Sequence, residues 1–265
     1  MRVRTALRIP KEHGAWGMLY VPFALGVFVA WSGAGRLVVL GVAMTLLFIG
    51  RESVLAWWRA RSRGNDPGSA TRLMVIYLGL AALAGAPLIF AYRLYGMIPL
   101  GLVTGALLVW NARQATKREE RTILTEVLGI IGLTLTAPVA YYAGLGRWDS
   151  TALWLWGLSA LYFASSVFYV KLRVLTAHSK DAAAVSRIRQ QCAVYHIALA
   201  VLLATAVSAG DLHQYLLAAF APVIVRALWP LVRPAKQLVL QRIGRLEILY
   251  SLVFLLFSVL GFRSG

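Results

Sequence analysis

One cysteine, Cys192, and four aspartates, Asp66, Asp149, Asp181 and Asp211, are all that a 265-residue chain provides of two residue types central to site chemistry. A single thiol excludes an intramolecular disulfide, so the chain carries no mark of an oxidising compartment. The aspartates are scattered, and a Mg²⁺ site held mainly by carboxylates has no support among them. A glycine-rich phosphate loop, HExxH, CxxC and GxSxG are all missing. Charge of any sign is scarce: 14% of the residues are Asp, Glu, Lys or Arg, where a soluble domain carries about a quarter.

In place of charge there are long apolar runs. Hydrophobic residues make up 60% of the chain, in stretches close to the ~20 residues that cross a bilayer. The runs place helices at about 14–33, 36–58, 71–91, 95–112, 123–145, 151–172, 190–209, 213–231 and 245–262, each boundary good to ~2–4 residues. Turn residues punctuate the gaps, as in Ser32-Gly33-Ala34-Gly35, Gly64-Asn65-Asp66-Pro67-Gly68, Gly144-Leu145-Gly146 and Gly210-Asp211. Unpaired backbone is not tolerated in lipid, so each run is a helix or a barrel strand. Barrel strands alternate in polarity and these runs do not. The expected fold is an all-α membrane protein of about nine transmembrane helices, one polytopic domain over 1–265. The basic segment Met1 to Lys11 leads into an apolar run without a small-residue cleavage site, which is expected to stay as the first helix.

The cations fall on alternate sides of these runs. Of the 27 Lys and Arg residues, 21 flank the N-terminus and the even-numbered loops, against 4 on the other side; Arg51 and Arg226 lie inside spans. Short cytoplasmic loops accumulate Lys and Arg. The chain is therefore expected in the inner (cytoplasmic) membrane, N-terminus inside and C-terminus outside. The bias also explains the net charge of +17 without a nucleic-acid partner.

Ionisable groups at membrane depth are costly, and each one is a candidate for function beside its structural explanation. Glu12 and His13 stand where the first helix enters the membrane; a capped helix start accounts for them, and an acid/base or orienting pair is the functional alternative. Arg51 and Glu52 are adjacent, and neighbours in sequence do not face each other on a helix, so each is expected to find a separate partner or a wet cavity. Trp57-Trp58-Arg59-Ala60-Arg61 ends the second run, with Arg63 beyond it. Phe168-Tyr169-Val170-Lys171-Leu172-Arg173 ends the sixth. Aromatic belts and positive-inside charge produce such ends routinely; two cationic arms that clamp a phosphate are the functional alternative. Glu126 opens the fifth run, which continues through Gly129, Gly132, Thr134, Thr136 and Pro138. Small residues permit close helix packing, and Pro138 is expected to bend the helix while nearby threonines satisfy freed carbonyls. His196 is read as hydrogen-bonded to a neighbour, and Glu247 as an interfacial salt-bridge partner of the arginines before it.

The stretch Pro10-Lys11-Glu12-His13-Gly14-Ala15-Trp16, with Pro22 further in, resembles the opening signature of the YwiC-like family of bacterial integral membrane proteins. Gly244-Arg245-Leu246-Glu247 before the last apolar run resembles that family's final helix. More distantly, nine helices with important loops after the second and sixth resemble the UbiA superfamily of membrane prenyltransferases. The run from Thr125-Glu126 to Pro138-Val139-Ala140-Tyr141-Tyr142 is similar to the fifth helix of its menaquinone-pathway members. That resemblance implies a UbiA-like bundle and a prenyl diphosphate held through Mg²⁺ by two Asp-rich motifs. Those motifs are absent here: Arg51 to Arg63 holds one Glu and no Asp, and Ser165 to Arg173 holds no acid. The expectation is thus a binder or diverged transferase for an isoprenoid or other lipid with an anionic headgroup, working without Mg²⁺ or another cofactor. Arg59, Arg63, Lys171 and Arg173 would hold phosphate oxygens, with Tyr169 as a hydrogen-bond donor and Glu126 lining the substrate site. Glu52 and His13 would position or deprotonate an acceptor. A small-molecule or ion transporter and an accessory subunit of a membrane complex are the alternatives.

Overall fold

A computed structural model describes residues 13–116, 122–232 and 240–264. The described regular structure is helical, in ten segments: α1 (His13–Ala30), α2 (Ala34–Ser62), α3 (Gly68–Phe90), α4 (Met97–Thr116), α5 (Ile123–Thr134), α6 (Thr136–Leu145), α7 (Ser150–His178), α8 (Ala182–Ser208), α9 (Tyr215–Val232) and α10 (Leu240–Ser264). Six apolar stretches are long enough to cross a bilayer: α2, α3, the α5–α6 rod, α7, α8 and Gly244–Ser264. Gly14–Ala30, Met97–Trp110 and Tyr215–Pro230 are shorter apolar helices. This is a multi-pass membrane protein.

Contacts between helix ends fix which ends share a face. On one face, Arg36 at the start of α2 donates to the Gly144 carbonyl near the end of α6 (2.7 Å). Tyr142 of α6 accepts a bond from the Gly96 amide just before α4 (3.2 Å), and Arg263 at the end of α10 lies over Trp31 just after α1 (5.2 Å). On the opposite face, Arg113 near the end of α4 lies over Trp58 near the end of α2 (5.8 Å), and Lys171 of α7 pairs with Glu126 of α5 (3.0 Å). Successive rods therefore alternate in direction. The second face is the basic one, and α2 and α7 both end on it.

The helices overrun their apolar stretches on the basic face. α2 continues to Ser62, α7 continues to His178, and α8 begins at Ala182 rather than near 190. At 29 residues, α2 and α7 are ~43 Å long, about 13 Å more than a hydrocarbon core of ~30 Å requires. The cause is local: Asp181 caps α8 by accepting from the amides of Ala183 and Ala184 (2.9 and 3.1 Å), and three alanines then favour the helix.

α1 runs through the middle of the bundle and packs against α5, α6, α7 and α10. Its crossing with α6 is tight. A Cβ on Gly26 would lie within 3 Å of the Ala137 carbonyl oxygen and the Ala140 Cβ, and one on Gly144 would meet the Ala30 Cβ at 2.5 Å. Small residues are what let the two backbones approach. The α5–α6 rod breaks at Leu135. Pro138 has no amide hydrogen to give the Thr134 carbonyl, and the break is stitched by side chains. Thr134 donates to the Ile130 carbonyl (2.8 Å), Thr136 to the carbonyls of Leu133 (3.0 Å) and, on α1, Leu19 (2.9 Å), and the Trp156 indole to Ile131 (3.1 Å). The bend and its threonines match the expectation for this run. α3 and α4 present Val75, Ile76, Leu80, Leu83, Phe90, Leu102 and Val103 outward, an apolar surface that lipid covers.

Candidate functional site

The charged groups inside the helices gather near the basic face. At 1.5 Å per residue from the opposite ends of their helices, Glu52, Glu126, Lys171 and Glu247 lie at ~27, ~28, ~32 and ~26 Å, close to the edge of a ~30 Å hydrocarbon core. Arg226 is deeper, at ~16 Å along α9. Long Arg and Lys side chains can reach from such depths toward the interface.

The most buried of these charges joins three helices. Arg226 of α9, with 6% of its side chain exposed, forms an ion pair through Nη1 with Glu247 of α10, which is 24% exposed. Ser166 of α7 donates to the other Glu247 carboxylate oxygen (2.9 Å) and accepts from Arg226 Nη2 (3.4 Å). The guanidinium also lies over the rings of Tyr169 (4.3 Å) and Tyr250 (5.3 Å). A desolvated guanidinium thus receives one carboxylate, one hydroxyl and two aromatic faces, the set of partners that makes a buried charge tolerable. Below it, Tyr162 stacks on Phe254 with ring centroids 4.1 Å apart, and its hydroxyl approaches Ser251 (3.5 Å).

A second polar centre lies on another side of α7. Lys171 pairs with Glu126 at 3.0 Å, with 20% and 35% of the side chains exposed. The α5 start that carries Glu126 is capped by Thr122, which accepts from the Thr125 amide (3.2 Å).

The expected site residues are therefore partly brought together. Glu126 and Lys171 meet directly. Tyr169 is on the same helix as Lys171 but is buried beneath Arg226. Arg173, one turn nearer the end of α7, is half-buried, as is Arg59 of α2, while Arg63 just beyond α2 is exposed. Among the described residues Glu52 meets no partner on another helix: Arg51 and Glu52, each a little under a third exposed, pair with each other at 3.2 Å. Sequence neighbours on a helix point about 100° apart, and both side chains are long enough to bend back and meet. His13 opens α1, and its side chain and Glu12 lie outside the described residues, as do the cations at 117–121 and 233–239.

The Arg226–Glu247 pair was not read from the sequence, which assigned Glu247 to the arginines of its own helix. The signal was present: opposite charges inside two consecutive apolar runs are expected to meet. His196 follows the expectation of a local bond, its Nδ1–H donating to the Cys192 carbonyl one turn back (2.7 Å). The two aromatic-cation helix ends also share a feature. Trp58 of α2 is covered by an arginine of α4 and Tyr169 of α7 by an arginine of α9, in each case a helix two places on. Among the described residues, no three His, Cys, Asp or Glu side chains gather as a metal site.

The family model described as YwiC-like protein matches residues 9–141, which reach from before α1 into α6. The uncharacterised protein YwiC of Bacillus subtilis (strain 168) is 27% identical over 168 residues, 62% of this chain; the match spans 65% of that relative's length, just under two thirds. An uncharacterised protein of Haemophilus influenzae is 24% identical over 254 residues, 94% of this chain and 95% of the relative. No solved structure matches the chain.

Proposed function

We propose that this chain, which belongs to the YwiC-like family, is a binder of an isoprenoid or other lipid with an anionic headgroup at the cytoplasmic face of the bacterial inner membrane. It crosses that membrane nine times, N-terminus inside, in a UbiA-like bundle. The observation that supports this is the common placement of cations at the ends of α2 and α7. Arg59, Arg63, Lys171 and Arg173 all stand at or beyond the depth of the hydrocarbon edge, on helices about 13 Å longer than a crossing needs. Guanidinium and ammonium groups at that level meet phosphate oxygens of a lipid whose tail stays in the apolar layer. Glu52, beside Arg51 on α2, lies at ~27 Å, just inside that edge, and would orient an acceptor if transfer chemistry follows.

Two measurements test this. Reporters fused after Gly265 are expected to be active only outside the cytoplasm; a cytosolic C-terminus refutes the nine crossings. Binding of farnesyl diphosphate and of farnesol is compared on the purified chain in nanodiscs. The diphosphate is expected to bind at least tenfold more tightly, with the difference lost in Arg59→Ala and Arg173→Ala. Equal affinities, or an unchanged difference in both variants, refute the headgroup site.

Two observations favour a second reading, transport of a small molecule or ion. The Arg226–Glu247 pair and the break at Leu135 are an intramembrane charge pair and an interrupted helix, both common in transporters. Uptake into proteoliposomes that depends on Glu247 would support it.

A further inference from the structure

Three buried polar atoms in the α7–α8–α9 junction have no hydrogen-bond partner: Ser165 Oγ, His196 Nε2 and Arg226 Nε. Ser165 and His196 are fully buried. The three belong to one layer. On α7, Leu161 accepts from the Tyr195 hydroxyl (2.7 Å) and Phe168 stacks on the Tyr195 ring (4.5 Å). Both residues therefore face α8, and Ser165, four after one and three before the other, shares that face. On α8, Cys192, His196, Leu199 and Leu203 form a stripe facing inward, exposed by 0%, 0%, 3% and 1%. Cys192 shares a small buried cluster with Tyr169 and Ala227, whereas Leu199 belongs to the larger one that includes Tyr162 and Val223. His196 lies between them on α8, four residues after Cys192 and three before Leu199. Ser165 occupies the same interval on α7, and Arg226 on α9. The Arg226 guanidinium lies over Tyr169 (4.3 Å), which shares a buried cluster with Cys192, one turn from His196.

The atoms specify what fits among them. The Cys192 carbonyl can only accept, so the hydrogen of His196 sits on Nδ1 and Nε2 offers a lone pair. Arg226 Nε–H is a donor left over once Nη1 has taken Glu247 and Nη2 has taken Ser166. The Ser165 hydroxyl can serve either way. A carboxylate or phosphate would satisfy the arginine but meet a lone pair at His196. A ketone accepts only, and an ammonium is repelled by the guanidinium. One hydroxyl oxygen does both tasks, donating to His196 Nε2 and accepting from Arg226 Nε–H. Orphaned buried groups of this kind are costly, and filling them is favourable.

We propose that Ser165, His196 and Arg226 form a buried site for a single hydroxyl group, supplied by water or by the head of a membrane-soluble alcohol or phenol. It is separate from the anionic headgroup site and does not depend on it.

The test is ¹⁵N NMR of the full chain, histidine-labelled, in nanodiscs, with His196→Gln assigning the resonance and phenol and n-octanol as probes. His196 Nε2 is expected to be unprotonated and shifted from the position of a bare acceptor nitrogen toward that of a hydrogen-bonded one. If water is the occupant, the shift shows a D2O isotope effect and ignores both probes. If an alcohol or phenol is the occupant, the shift saturates with added probe. In either case Ser165→Ala, whose folding is checked by the retained Nδ1–H bond to Cys192, moves the resonance at least halfway back toward the bare position. A bare Nε2 under all conditions, or a proton on Nε2 itself, overturns the proposal, as does a shift unaltered in Ser165→Ala.

Discussion

Arg226 and Glu247 offer a measurement whose size follows from their surroundings. Removing one partner of a buried ion pair in a protein interior costs about 3–5 kcal/mol, most of it from the charge left behind. Glu247 is 24% exposed and keeps Ser166 when the arginine is lost, and Arg226 keeps Ser166 and two rings when the glutamate is lost. Those residual partners bring each single loss, Arg226→Gln or Glu247→Gln, down to about 2–3 kcal/mol. The double variant leaves two neutral amides able to bond each other, so its cost is expected to fall about 2 kcal/mol short of the sum. That coupling is larger than the ~0.6 kcal/mol average for polar contacts between membrane helices, because both members carry charge. Reversible unfolding in mixed micelles, followed by the fluorescence of the nine tryptophans, gives the four free energies. Losses that add to within ~0.5 kcal/mol refute the pair as an energetic unit. Arg226→Lys adds a check: it keeps the charge but not the fork that spans Glu247 and Ser166, and about half the loss is expected.

Gly26→Ala forces a Cβ onto the Ala137 carbonyl oxygen and is expected to cost about 1–3 kcal/mol by overpacking. Gly17→Ala, with nothing within 4 Å, is the control, and equal thermal stability of the two in detergent would show that α1 and α6 do not cross there. Asp181→Ala removes the cap of α8 and is expected to cost ~1 kcal/mol. Faster amide exchange confined to the first turns of α8 is the readout, and unchanged exchange there would show that the overhang is held by other contacts.

The sequence disclosed the apolar helices because lipid imposes a length and because charge is expensive inside it. Gly33, Gly64, Gly146 and Gly210, which the turn clusters contain, all adopt positive φ, between 70° and 82°. At Gly146 the reason is visible, its amide closing α6 on the Tyr142 carbonyl at 2.7 Å. The overhangs of α2, α7 and α8 were missed because apolar runs end where lipid ends, while helices end where caps and propensity say. Ser179-Lys180-Asp181 before three alanines was the better signal for α8. The site was less legible. A residue type and a depth can be read from one chain, but a partner on another helix depends on rotation about the helix axis. Tyr169 and Lys171 illustrate this: two residues apart, they point about 200° apart, one to Arg226 and the other to Glu126.

That geometry gives Glu126 a role that affinity can decide. The sequence placed it in the substrate site, but its carboxylate is 3.0 Å from Lys171, one of the cations proposed to hold the headgroup. An anionic lipid that engages Lys171 has to compete with Glu126 for it. Neutralising the carboxylate leaves the ammonium for the ligand and removes a negative charge from its approach. For a partly exposed pair the gain is up to about 1 kcal/mol, so Glu126→Gln is expected to bind farnesyl diphosphate up to about fivefold more tightly. The gain should shrink at high salt and be absent for farnesol. Lys171→Gln is expected to weaken the diphosphate and to erase the effect of Glu126→Gln when the two are combined. If Glu126→Gln instead weakens binding while Lys171→Gln leaves it unchanged, the carboxylate touches the ligand directly, and the Lys171 arm of the clamp is wrong.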